Sequence, residues 1–271
     1  MSKAYDRVEW NFLRAMLVKL GFDRRLVNLL LECVTSARYR INHAGKEFGL
    51  IVPERGIRQG DPLSSYIFLI CMEGLTALIQ ENVRRKNIKG IKVARGAPVL
   101  SHLFFADDSY IYCQANSEAA NKVISMLQVY EKASGQKLNA TKSSSFFSCN
   151  VGQEVRAEIC NILQFQEAGA NTTYLGLPSI IGRNKKAVLG YLKERMQTRI
   201  EGYDKKLLSK GGKEILLKTV VQALPSYAMS MFLIPKNLCS EMENLMCKFW
   251  WRNSSRKAKG ISWMCWDRMS I

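Results

Sequence analysis

The chain has 271 residues and a mass of 30.8 kDa, enough for one large domain or two small ones. Hydrophobic residues make up 47%, which excludes a disordered chain, and a net charge of +17 with a pI near 9.6 calls for an anionic partner. No apolar run approaches the roughly 20 residues of a membrane span, and no signal peptide is visible behind Met1, where Lys3, Asp6 and Arg7 are charged, so nucleic acid is expected rather than a membrane.

In chain order, residues 7–20 read as an amphipathic helix stopped by Gly21, with Asp6 as its N-terminal cap. Residues 24–36 read as a second helix with Leu26, Leu29, Leu30 and Cys33 on its inner side. Tyr39–Asn42 and Phe48–Val52 form a predicted hairpin with Gly45 in its turn. A long helix over 62–86 begins with Asp61 as cap and Pro62 in the first turn, and carries Leu63, Ile67, Ile70, Cys71, Leu75 and Leu78 as its apolar stripe. A strand at Gly90–Val93 is followed by a second hairpin. Ser117 is expected to cap a helix that runs to about Ala133, with Val123, Ile124, Leu127 and Tyr130 on one face, and Ser145–Ser148 returns as a strand. Helices covering one side of an antiparallel sheet make this part α+β. From about residue 183 the pattern is helical and basic.

The eight cysteines include no Cys-x-x-Cys pair, and most lie in apolar surroundings, so free buried thiols in a reducing compartment are expected. His43 and His102 stand apart from each other and from paired cysteines, so no zinc site is expected.

The most informative segment is the second hairpin. Val99, Leu100, Leu103, Phe104 and Phe105 precede Ala106-Asp107-Asp108, and Tyr110, Ile111 and Tyr112 follow. Pairing of the two runs lifts adjacent carboxylates to a turn, where they repel unless a cation neutralises them. Mg²⁺ binds readily to one or two carboxylates together with substrate phosphates, the arrangement of metal-assisted nucleotidyl transfer. Asp-Asp-Ser is also ordinary turn chemistry. Upstream, Arg58-Gln59-Gly60-Asp61-Pro62-Leu63-Ser64 opens the long helix; Gly60 allows close backbone approach, and Gln59 offers both a donor and an acceptor. Downstream comes Ser134-Gly135-Gln136-Lys137-Leu138-Asn139, then Lys142.

In this order, together with Met1-Ser2-Lys3-Ala4-Tyr5-Asp6, Tyr174-Leu175-Gly176-Leu177-Pro178 and Leu208-Ser209-Lys210-Gly211-Gly212-Lys213, these segments resemble the reverse transcriptase domain of plant-like LINE-type (non-LTR) retrotransposons. The resemblance implies a polymerase palm over residues 1–182 and a helical, basic thumb-like or connection region over 183–271. It implies Asp107 and Asp108 as catalytic ligands of Mg²⁺, with Mn²⁺ as a substitute. Ala106 would let the primer backbone approach. Tyr5 would stand at the steric gate against a ribose 2′-OH, with Arg58, Gln59 and Gly60 about the nucleotide. Lys142 corresponds to a lysine beside the triphosphate, although an exposed turn lysine reads the same way. Lys205, Lys206, Lys210 and Lys213 would contact the template-primer backbone, although their spacing also suits a solvated helix face.

The partners implied are an RNA template, a DNA primer and deoxynucleoside triphosphates, in the nucleus or cytoplasm. In the family an Asp precedes the Ser2–Asp6 segment, one position before Met1. The chain is therefore expected to be an N-terminally truncated palm, lacking fingers and the first catalytic strand, and inactive by itself. A binding-only remnant and a group II intron maturase-like protein are the alternatives, the latter disfavoured by the Arg58–Ser64 segment.

Overall fold

The structure is a computed structural model of the chain and describes residues 1–169, 172–179, 182, 184–204, 208–252 and 263–269. It divides into two compact units, Met1–Ala168 and Gly169–Ile271, so the division falls before the boundary at 182 that the sequence suggested.

The first unit is built around four helices. These are α1 (Trp10–Lys19), α2 (Arg24–Thr35), α3 (Pro62–Arg84) and α4 (Ser117–Ser134). Asp61 starts α3: its carboxylate accepts the Leu63 N–H at 2.9 Å, satisfying a donor that the helix leaves free, and Pro62 has no N–H to satisfy. Ile67, Phe68, Cys71, Met72, Leu75 and Ile79 then form its buried stripe, packed with Leu13 and Leu17 of α1 and with Val123, Met126, Leu127 and Tyr130 of α4. Burying each such large apolar side chain contributes about 1.5–3 kcal/mol. At 23 residues, α3 is long and apolar enough to cross a membrane by length and composition alone, contrary to the expectation that no segment is. Its buried stripe explains that apolarity within the core of the unit.

Several local expectations are corrected. Asp6 caps no helix: it lies in a single 3₁₀ turn, Tyr5–Arg7, and α1 starts after Glu9 without a side-chain cap. The cap of α4 is Asn116, whose side chain accepts the Ala119 N–H at 2.7 Å, one residue before the expected Ser117. In α2 the buried residues are Val27, Leu31 and Val34, while Leu26, Leu29 and Cys33 are exposed. Among the eight cysteines only Cys71 and Cys247 are buried.

The strands form pairs rather than the single sheet expected. β1 (Tyr39–His43) pairs with β2 (Lys46–Ile51), and β3 (His102–Phe105) pairs with β4 (Asp108–Ile111), both antiparallel. The Gly90–Val93 strand reduces to one bridge, Ile91 to Leu100, and the Ser145–Ser148 strand to β5 (Ser144–Ser145). After α5 (Gln153–Leu163), β6 (Gln166–Glu167) pairs with β5 in parallel.

The second unit opens on the small hairpin of β7 (Thr173–Tyr174) and β8 (Leu177–Pro178). Helices follow: α6 (Lys185–Leu189), α7 (Tyr191–Asp204), α8 (Lys210–Leu216), α9 (Ala223–Met231), α10 (Lys236–Trp251) and α11 (Trp266–Met269). A π turn at Leu217–Val221, closed by Gln222 N–H to Leu217 O at 2.9 Å, joins α8 to α9. Pro225 lies just beyond and cannot donate to the Val221 carbonyl, so the hydrogen-bond register slips there. A separate core unites Leu189, Leu192, Met196, Leu217, Val221, Leu238, Met242 and Phe249. Trp250 and Trp266 pack against this core, whereas Trp263 is exposed.

Candidate active site

The site grows from the way residues 2–9 are held. On one side the Ser2 N–H donates to Lys137 O at 2.8 Å, Gln136 Nε2 to Ala4 O at 2.7 Å, and the Glu9 N–H to Ser134 O at 3.0 Å. On the other, Ile57 N–H donates to Tyr5 O at 2.9 Å and Gly56 N–H to Val8 O at 2.8 Å. Two glycines allow this approach. A Cβ on Gly135 would stand 2.4 Å from Arg7 O, and one on Gly56 2.9 Å from Asp6 O; both have φ near +80°. The Met1 amino group donates to Asp107 O at 2.8 Å, so this segment lies beside the tip of the β3–β4 hairpin.

That tip is the two-residue loop Ala106–Asp107, because Phe105 pairs with Asp108. Ala106 has φ 50°, a left-handed conformation in which a Cβ is crowded. Tyr5 stacks on Phe68 of α3, ring centroids 5.1 Å apart and planes within 11°, which fixes the ring. Its hydroxyl reaches Ser65 Oγ at 3.5 Å.

One open cleft of about 530 Å³ gathers these parts. Lys3, Ala4, Tyr5, Gln59, Gly60, Asp61, Pro62, Ser65 and Asp107 line it. The structure thus brings Tyr5, Gln59, Gly60 and Asp107 together from three separate stretches of sequence. Gly60 has φ +86°, and a Cβ placed on it would meet nothing within 4 Å, leaving its backbone open to the cleft. Arg58 instead lines a neighbouring cavity with Arg55, Asp6 and Tyr39, which shares Gln59 with the first. Ala106, Asp108 and Lys142 are exposed but do not line the cleft. Lys3 and Ser65 were not singled out from the sequence; the adjacency of Lys3 to Tyr5 was the available signal.

Two carboxylates at a solvent-exposed tip offer hard oxygen donors, which fit one divalent ion completed by water and phosphate oxygens. Among the described residues no three His, Cys, Asp or Glu side chains gather into a fuller metal site.

In the second unit, Lys213 does not present a free charge to nucleic acid. It is buried, and its ammonium donates to the carbonyls of Phe249, at 3.3 Å, and Arg252. It neutralises the carbonyl end of α10, a favourable place for a cation. Lys210 is exposed and lies 5.6 Å above the Trp251 ring. Lys205 and Lys206 lie outside the described residues.

The family of the reverse transcriptase (RNA-dependent DNA polymerase) matches residues 1–179. An uncharacterized mitochondrial protein of Arabidopsis thaliana is 45% identical over 65 residues, 24% of this chain and 53% of that protein. A putative ribonuclease H protein of the same plant is 30% identical over 83 residues, 31% of this chain and 13% of its own length. A retrovirus-related Pol polyprotein from the type-1 retrotransposable element R2 of Popillia japonica is 27% identical over 146 residues, 54% of this chain and 20% of the polyprotein. The chain therefore matches about half the length of the first relative and a fifth or less of the other two. With the family match covering most of its length, the chain belongs to the reverse transcriptase family, and the Pol polyprotein it resembles is of the non-LTR retrotransposon kind.

Proposed function

We propose that the cleft is the nucleotide site of an RNA-directed DNA polymerase palm, and that the second unit is thumb-like. The observation that carries this reading is the convergence of Tyr5, Gln59, Gly60 and Asp107 on one cleft. Each residue then has a physical task. Asp107, with Asp108 beside it, holds a divalent ion, Mg²⁺ by its preference for carboxylate and phosphate oxygen. Bound there, the ion supplies charge neutralisation at the reacting phosphate. Tyr5, clamped on Phe68, blocks the space of a ribose 2′-OH. Gln59 and the bare backbone of Gly60 hold the base and sugar. The partners are an RNA template, a DNA primer and deoxynucleoside triphosphates, and Lys210, Lys205 and Lys206 serve the nucleic-acid backbone.

Among the described residues no third His, Cys, Asp or Glu joins Asp107 and Asp108 in a metal-holding cluster, and Asp61 across the cleft is engaged as the cap of α3. We therefore expect this 271-residue chain alone to polymerise weakly. A missing ligand worth about 4 kcal/mol at the transition state slows the reaction roughly a thousandfold. Deoxynucleotide incorporation on a primed RNA template, with Mg²⁺ or Mn²⁺, tests both points. The chain is compared with a form extended upstream through an Asp and a fingers segment, and with that form carrying Asp107→Ala. Incorporation is expected only from the extended form with Asp107 intact. Robust incorporation by the 271-residue chain would refute the missing-ligand argument, and activity that survives Asp107→Ala would refute the site. If no form polymerises while the chain retains nucleic acid, the binding-only alternative stands.

A further inference from the structure

We infer that Lys3 is the residue that receives the triphosphate of the incoming nucleotide, the task that sequence resemblance gave to Lys142; the inference rests on the cleft being a nucleotide site. The charges lining the cleft are few. Asp107 and Asp61 are acidic, and Lys3 is the one cation among the described residues that line it. A triphosphate brings several negative charges into a place that already holds two carboxylates. A metal ion at the hairpin tip offsets the charge on that side only. The amino end of α3 also opens on the cleft, through Gly60, Asp61, Pro62 and Ser65. It is a poor anion site, because Pro62 has no N–H and Asp61 already takes the Leu63 N–H. The remaining positive charge must therefore come from a side chain.

Lys3 suits this task in three ways. It makes no ion pair with any described residue, so its ammonium is free to be recruited. Its backbone is fixed on both sides, by the Ser2–Lys137 bridge and by the Asp6 N–H donating to Lys3 O at 3.1 Å. It also has φ 48°, a left-handed conformation that is uncommon for a residue with a side chain. Such conformations gather at ligand clamps, where the surrounding structure enforces them. Lys142, by contrast, is exposed in the turn Ala140–Lys142 and is not part of the cleft lining.

The test uses the whole chain and Mg²⁺ with dATP as the probe. Lysine acetylation, read site by site by mass spectrometry, should slow at Lys3 with dATP but not with deoxyadenosine, and Lys142 should react at the same rate throughout. By equilibrium dialysis the unaltered chain should prefer dATP to dAMP. Lys3→Gln should reduce that preference between roughly ten- and a hundredfold, the range for loss of a charged hydrogen bond. Lys3→Arg and Lys142→Gln should keep it. Protection of Lys142 in place of Lys3, or an unchanged preference in Lys3→Gln, overturns the assignment and leaves the cleft a nucleotide site. Should Lys3→Gln fail to fold, the acetylation pattern of the unaltered chain decides. If that chain binds dATP no better than deoxyadenosine and dATP protects neither lysine, the nucleotide reading fails and the role of Lys3 with it.

Discussion

Gly135 answers three demands at one residue. It ends α4 in the left-handed conformation at φ +76°, its N–H donates to Glu131 O at 2.9 Å, and its missing side chain lets the Arg7 carbonyl approach. Alanine there adds about 1 kcal/mol of backbone strain, and the contact at 2.4 Å forces the 5–9 segment to move at a further cost of about 1–3 kcal/mol. Gly135→Ala is therefore expected to lower stability by roughly 2–4 kcal/mol in urea titration. Gly60→Ala, with open space around it, should cost only the backbone strain of about 1 kcal/mol. Equal losses at the two glycines would remove the close-approach argument. At this scale the sequence was readable where the chemistry is local: the Asp61 cap with Pro62 behind it was legible, since both depend on neighbouring residues alone. Lys213 was not. Its partners, the Phe249 and Arg252 carbonyls, are 36 and 39 residues away, and a buried lysine on a helix looks like any basic residue until its partner is known.

Among the elements, α2 shows why a periodic pattern can be right and its face wrong. Leu26, Leu29, Leu30 and Cys33 form one apolar stripe, and Val27, Leu31 and Val34 form another beside it. Both have helical spacing, and only the packing against α1 decides that the second is buried. The same limit explains α3, whose apolarity suits a span or a core helix until its neighbours are known. In the second unit, α10 is tied to α6 and α7 by one carboxylate. Glu241 takes Lys186 Nζ at 2.6 Å and Lys193 Nζ at 2.7 Å, and these bonds hold its carboxyl at about 2, against an ordinary 4.5. A depressed carboxyl stabilises the fold above its unfolded value and loses that contribution on protonation. The contribution should be complete above pH 4.5 and fade as pH falls toward 2. Because Lys186 is exposed and Glu241 and Lys193 are only half-buried, salt should weaken both pairs. Thermal melting of Glu241→Gln and the unaltered chain should therefore differ at pH 6 and converge near pH 2. A difference that persists at the acid end would assign the effect to packing.

For the whole molecule, the charge is unevenly shared. Residues 1–168 hold 22 lysines and arginines against 16 aspartates and glutamates, a net +6, whereas residues 169–271 hold 18 against 7, a net +11. The smaller unit thus carries most of the +17. Some of its cations are internally engaged: Lys186 and Lys193 with Glu241, Lys218 with Glu214, and Lys213 with backbone carbonyls. Those pairs leave the net charge of the unit unchanged. Each unit also has its own hydrophobic core, so each is expected to fold when produced alone. Phosphate contacts release condensed counterions, and log K falls with log salt by about 0.7 per contact on single strands and 0.9 on duplex DNA. The 169–271 piece should therefore bind nucleic acid with the steeper salt dependence, and the 1–168 piece more weakly. Neither should discriminate strongly between base sequences, because the attraction is to phosphate. Filter binding of both pieces and of the whole chain across a salt series measures the slopes. Asp107→Ala should leave the slope of the whole chain unchanged, since a single carboxylate at the hairpin tip adds no phosphate contact. A flat salt response, or a steeper one in 1–168 than in 169–271, would show that net charge does not govern the interaction.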